Sequence, residues 1–431
     1  MLLQARPGIG VNLASKRSRD CRCPATRFMP TLITGSRRTV KILQPRGYKP
    51  IGLILSGGGA RAAYQVGVLR AVANILPRQS RNPFDIISGT SAGALNAVSL
   101  ATHAQRLRTG VRTLEHIWTN LRSEQIYDTQ NSNLLGSVST LLLPMLGGKQ
   151  PTNRVALLDN SPLAALLDRV LRFERIQQHI DLGLLNAVSV TASAYSTGES
   201  VSFYQGVKGL DDWSGPHRIG RRVQLNRDHL MASSAIPVVF PAVKIGKQYF
   251  GDGAVRQLAP TSPALHLGAR RILAIGVSGN RTKAPLEDSQ PEQPNLMQIL
   301  GHILNSAFVD TLENDLEFVR HMNTVLPHVS ERSRRQHLGE FHEVELLEIS
   351  PSKELNLLAQ EYYAELPKPL SRYIKPGASG TLLSLILFEQ GFCQALFDLG
   401  LKDAMAKEAE IRRFFDLPVS DLPASQASAF G

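Results

Sequence analysis

The spacing of apolar positions changes several times along the chain, and each change marks an element. Ile51-Gly52-Leu53-Ile54-Leu55 is a short continuous apolar run of the kind buried on both faces of a parallel sheet. It runs into Ser56-Gly57-Gly58-Gly59-Ala60-Arg61, after which Tyr64, Val68, Leu69, Val72 and Ile75 recur on one helical face between Ala62 and Leu76, until Pro77 stops the helix. A second apolar run, Phe84-Asp85-Ile86-Ile87-Ser88, passes through Gly89-Thr90-Ser91-Ala92-Gly93 into a helix-forming stretch from Ala94 to His103. Strand, helix, strand, helix predicts an α/β fold, a mainly parallel central sheet flanked by helices.

Further along, the pattern predicts helices over Arg106 to Asn120, Leu163 to Ile180 and Arg227 to Ser234, and a strand pair over 187–195 and 200–205. Val243 to Phe250 reads as one strand leading into Gly251-Asp252-Gly253-Ala254, and Arg271 to Val277 as another. A short helix over Pro263 to Leu267, a long one over Leu296 to Met322, a last strand over Val344 to Ser350 and one or two helices over Gly380 to Phe415 complete the reading. The apolar island Leu141-Leu142-Leu143-Pro144-Met145-Leu146 lies in a polar loop, where two readings stay open: a lid or lipid-contacting patch, or a loop folded onto the core.

The formal charge of +12 changes this picture only until it is divided. Residues 1–50 hold eleven Lys and Arg and one acid, Asp20, or 11 − 1 = +10, which leaves +2 for the other 381 residues. The body therefore offers no general basic field for a phosphate backbone, and no nucleic-acid partner is expected. Residues 1–48 show no sustained apolar period and read as a basic, disordered arm suited to contact with an anionic membrane surface. An Arg-rich import sequence, or a true start at Met29, fits the same residues. No run of 18 apolar residues occurs, and three cysteines make no disulfide framework, so a soluble cytoplasmic protein, peripheral to a membrane if the arm binds one, is expected. No His and carboxylate spacing suggests a metal site.

The chemistry is concentrated at the ends of the first two strands. A G-x-S-x-G turn between strand and helix is a nucleophile elbow, which leaves Ser91 exposed at the strand's carboxyl end with the next helix pointing free amides at it. Gly57-Gly58-Gly59 lets bare backbone amides approach a ligand oxygen, as an oxyanion hole requires. The same loop fits the dinucleotide pattern G-x-G-x-x-A through Ala62, but that use needs an acid at the end of the second strand, where Ser88 to Ser91 stand.

Gly57-Gly58-Gly59-x-Arg61, Gly89-Thr90-Ser91-Ala92-Gly93, Ala232-Ser233-Ser234-Ala235-Ile236-Pro237 with Phe240-Pro241, and Asp252-Gly253-Ala254 together resemble the patatin-like phospholipase family over about residues 50–280. The resemblance implies a three-layer patatin-like fold and a serine acyl hydrolase of (phospho)lipid esters without a cofactor. Ser91 would be the nucleophile, Asp252 its partner, Gly57, Gly58, Gly59 and Ala92 the oxyanion donors, and Arg61 a support. Residues 49–280 would form the catalytic domain, with 281–431 a mostly helical extension packed on it. Soluble esters or thioesters as substrates, nucleotide binding by the glycine loop, and a membrane-associated scaffold with an idle dyad are the competing functions. His266 and His302 stand in the order of a Ser-Asp-His triad but carry no neighbouring motif. The sequence is silent on oligomeric state.

Overall fold

The computed structural model describes residues 47–128, 156–278, 296–306, 311–334, 342–371, 374 and 380–418. The basic arm to residue 46, the island 141–146 and the loop 280–295 lie outside the described residues.

Ten strands form one sheet: β1 (Ile51–Leu55), β2 (Ile86–Thr90), β3 (Ala187–Ala194), β4 (Ser200–Gly206), β5 (Trp213–Gly215), β6 (Arg218–Arg222), β7 (Val243–Ile245), β8 (Gln248–Asp252), β9 (Arg271–Ile275) and β10 (Glu345–Ile349). The spatial order is β10-β9-β1-β2-β3-β4-β6-β5, parallel from β10 through β3, with β4 antiparallel to β3. All five residues of β1, β2 and β9 are buried, as strands in the middle of a two-sided sheet should be.

β3 is longer than β2, and that difference positions the site. It pairs with β2 as far as Thr90 opposite Thr191, and with β4 along its other edge. Beyond Thr191 the antiparallel β8 takes over the edge that β2 has left, with Asp252 opposite Ala192. β2 running up and β8 running down thus meet end to end.

Helices follow the first strands as expected: α1 (Ala63–Ile75), entered through a 3-10 turn over Gly59–Ala62, α2 (Ala92–Ala101) and α3 (Leu107–Thr119). Three predicted elements differ. Val243 to Phe250 is not one strand but the hairpin β7–β8, because Gly246 at φ 60° reverses the chain between Ile245 and Gln248. The stretch 163–180 is two helices, Ser161–Val170 and Glu174–Asp181, since Leu171 leaves the helix in extended backbone and buries its side chain. The long helix predicted over 296–322 is helical wherever it is described, as Leu296–Asn305 and Thr311–Val325, with 307–310 outside the described residues, whereas 380–415 is three helices, Gly380–Ile386, Gln390–Ala406 and Glu408–Phe414. No single described helix is long and apolar enough to cross a membrane, although the bent pair Gly380–Ile386 and Gln390–Ala406 passes that test jointly. Much of that pair is buried in the core.

The helix Gln390–Ala406 lies against α1 almost backbone to backbone. A Cβ on Gly67 would strike the Phe397 carbonyl, and one on Gly400 would strike the Tyr64 carbonyl. Cys393, fully buried on that helix, has its thiol pushed up by burial and then by Glu389 and Glu365, so it is an inert filler. Gly400→Ala should separate the two helices and cost about 1–3 kcal/mol; urea denaturation should show a lowered midpoint, and an unchanged midpoint would mean that the crossing is looser than described.

Candidate active site

Ser91 makes the turn between β2 and α2 at φ 54°, ψ −130°. Non-glycine residues rarely adopt that backbone, and holding it costs on the order of 1–3 kcal/mol. The Ser91 amide is tied down by donating to Ser233 Oγ at 2.9 Å, and Ser233 Oγ in turn donates to the Thr191 carbonyl at 2.6 Å. Gly93 permits the rest of the turn, because a Cβ there would enter the Leu55 and Ser56 carbonyls at the end of β1.

Ser91 Oγ donates to Asp252 Oδ2 at 2.6 Å, and the Ala254 amide donates to Asp252 Oδ1 at 2.9 Å. The expectation of an exposed serine on a surface turn is corrected: Ser91 is 1% and Asp252 0% exposed. The meeting of β2 and β8 above β3 encloses both. Burial pushes the Asp252 carboxyl up to about 7, opposed by the hydrogen bonds from Ser91 and the Ala254 amide, which favour the charged form. A buried carboxylate with that value is half protonated near neutrality and can exchange a proton with a hydroxyl it touches.

Gly59 and Ala92 line the same cavity as Ser91, whereas Gly57 and Gly58 are not among its lining residues. Ala92 opens α2, where a backbone amide has no intrahelical acceptor. The glycines of the loop also answer to packing that the sequence does not display. A Cβ on Gly58 would lie 2.5 Å from Val277 Cγ2, and one on Gly59 would enter the Leu385 carbonyl. Arg61 reaches into the C-terminal region: its guanidinium donates to Ser384 Oγ at 2.8 and 2.9 Å and to Asn356 Oδ1 at 2.7 Å. It is 2% exposed, and burial pulls it down to about 10 against the favourable field of Glu354.

Neither candidate histidine joins the pair. His266 stacks on Trp213 at 4.9 Å and pairs with the Ser262 carbonyl, and His302 is exposed on the helix Leu296–Asn305. Among the described residues, no group of three or more His, Cys, Asp or Glu could hold a metal. Beside Ser91 opens a cavity whose walls are mainly apolar, among them Leu114, Trp118, Leu163, Leu167, Phe240 and Phe388. Sequence reasoning missed Ser233 as the acceptor for the strained amide, although it lies inside the quoted stretch 232–237. It also missed Asn356, Ser384 and Phe388, which no local pattern marks.

Two measurements follow from this geometry. A carboxyl whose folded value lies above its unfolded one adds stability below about pH 4, and that contribution is lost as pH rises through about 7, a difference of about 4 kcal/mol at full ionisation. Asp252→Asn can still accept from the Ala254 amide through Oδ1 and donate through Nδ2 to Ser91 Oγ, without the charge, so its melting temperature should exceed the parent's at pH 8 and approach it at pH 5. An equal gap at both values would mean that Asp252 is not buried as a raised acid. Gly58→Ala should cost stability as well as activity, with a lower melting temperature that the second change Val277→Ala partly restores.

Residues 53–265 match the model of the family described as patatin-like phospholipase. A cGAMP-activated phospholipase of Pseudomonas aeruginosa is 29% identical over 238 residues, 52% of this chain and 61% of that protein. One of Escherichia coli with the same name is 26% identical over 212 residues, 47% of this chain and 51% of its own. The chain thus spans about half to three fifths of the length of these curated relatives. Human GIVD cytosolic phospholipase A2 superposes with a TM-score of 0.42 at 14% identity, covering 87% of this chain and 61% of that one, a likeness too low to carry an argument. Residues 53–265, which contain the buried Ser91–Asp252 pair, are a domain of the patatin-like phospholipase family.

Proposed function

We propose that the protein is a serine acyl hydrolase of lipid esters, with phospholipids as the substrate class, working through a Ser91–Asp252 dyad. One observation carries the reading: a serine hydroxyl 2.6 Å from a buried carboxylate, at the wall of an apolar cavity. Ser91 Oγ attacks the acyl carbonyl as its proton passes to Asp252, and the amides of Gly59 and Ala92, which line the cavity, stabilise the oxyanion, with Gly57 and Gly58 shaping the loop. Collapse expels the alcohol, which takes the proton from Asp252, and leaves an acyl-serine. Water then gives its proton to Asp252 and attacks the ester, releasing the fatty acid and returning the proton to Ser91. The apolar walls favour a long acyl chain over a small soluble one, and the names of the relatives, phospholipases both, support the same substrate class.

Asp252 has to be ionised to accept the proton, so kcat/KM should rise with pH and level off above about 7. A fluorophosphonate should label Ser91, and Ser91→Ala should lower hydrolysis of phospholipid vesicles by more than a thousandfold, nucleophile losses reaching ~10⁶-fold elsewhere. Unlabelled Ser91 in folded protein, or Ser91→Ala with near-parental turnover, would end the proposal. Turnover of soluble short-chain esters alone would move the substrate class to them.

A further inference from the structure

The cavity beside Ser91 contains one polar group with nothing to do. Ala92, Leu95, Asn96 and Ser99 recur at helical spacing, so α2 presents them as a single stripe, and all four line the cavity. The other polar side chains of the cavity have partners. Asn96 Nδ2 donates to the Ala62 carbonyl at 3.1 Å and to Gln65 Oε1 at 3.0 Å, while its Oδ1 accepts from Trp118 Nε1 at 2.8 Å. Ser234 Oγ donates to the Leu230 carbonyl at 2.7 Å, and Ser91 Oγ to Asp252. Ser99, 3% exposed, has an Oγ with no hydrogen-bond partner among the described residues. Leaving a buried hydroxyl bare costs about 1–3 kcal/mol.

The depth of that hydroxyl is set by the helix. Ser99 is seven residues beyond Ala92, roughly 10 Å along the axis at 1.5 Å per residue. An extended chain of 1.52 Å bonds at tetrahedral angles advances roughly 1.25 Å per carbon. An acyl chain whose carbonyl lies at Ser91 and which runs along this stripe therefore passes Ser99 at roughly its ninth carbon. A saturated hydrocarbon there leaves the Ser99 hydroxyl bare, whereas a hydroxyl or keto oxygen at that depth pairs with it.

We propose that the acyl chain this site takes carries an oxygen function near its middle, and that Ser99 Oγ is the group that selects it. This rests on the reading of the cavity as the acyl site under the proposed function. Ser99 does not touch the reacting ester; it determines specificity by supplying a donor and acceptor where every other side chain of the wall is apolar or already paired.

Binding to the Ser91→Ala protein tests this without turnover. Calorimetry would compare octadecanoate with its 9- or 10-hydroxy and 17-hydroxy derivatives, with and without the further change Ser99→Ala, which raises helix propensity and so leaves α2 intact. The preference for the mid-chain hydroxy acid over octadecanoate should fall about tenfold on Ser99→Ala, as loss of one good hydrogen bond gives. The ratio for the 17-hydroxy acid should not move. Equal ratios in the two proteins, or no binding of any acid, overturn the proposal. Turnover of the matching p-nitrophenyl esters by protein with Ser91 in place separates the two readings: the selective binding without turnover sinks the hydrolase and leaves the selection by Ser99 standing.

Discussion

The edge of β3 at Thr191 and Ala192 is shared between two strands that come from opposite directions. β2 occupies it up to Thr90 and then must turn away, while β8 arrives antiparallel and stops with Asp252 opposite Ala192. Ser91 and Asp252, 161 residues apart, are brought head to head by hydrogen bonds of the sheet, and the reach of a flexible side chain contributes little. The same edge secures the elbow through a side chain, since Ser233 bridges the Ser91 amide to the Thr191 carbonyl. Behind it Gln257 accepts from Thr90 Oγ1 and donates to Thr191 Oγ1 at 3.2 Å, closing the corner from the other side. A shift of β3 by one residue would separate the pair, because every one of these contacts is counted from the same two positions.

Much of this was legible in the sequence where the chemistry is local. The unbroken apolar runs of β1 and β9 marked the buried middle of the sheet, and the elbow was readable because a strand, two glycines and a serine occur without a gap. What depends on distant chain was not legible. Val243 to Phe250 alternates as a single strand would, and only the pairing of β7 with β8 shows that Gly246 is a turn. The burial of Ser91 was missed for the same reason: a turn is exposed by default, and its cover comes from α2, β8 and the stretch around Ser233. The glycines of the loop were read as an opening toward a ligand, yet Val277 and Leu385 occupy the space in which their side chains would stand.

The site carries two features that oppose folding, the backbone of Ser91 and a carboxyl ionising in a dry place. Neither would persist on a loose scaffold. What offsets them is packing close enough that nothing larger than hydrogen fits: Gly93 against the end of β1, Gly59 against Leu385, and Gly67 and Gly400 where α1 crosses the helix Gln390–Ala406. Strain at Ser91 and tight packing around it are therefore linked, and a change that relaxes the second frees Ser91 to leave its turn.

The segment that identifies the family ends at residue 265, but the structure that holds the site does not. β9, at 271–275, is the neighbour of β1 on the side away from β2, and β10 lies beyond it as the outer strand. Without β9 the first strand, and with it the glycine loop, would become an open edge. Arg61 sets a further limit, since a buried guanidinium stripped of Asn356 and Ser384 loses hydrogen bonds to a charged group, each about 1.5–3 kcal/mol. The cavity wall also draws on Phe388, and Tyr127 hydrogen-bonds the Ile386 carbonyl just before it. The helices beyond the sheet thus help to shape the cavity beside Ser91, and the residues that name the family cannot be cut free from the residues that hold the site.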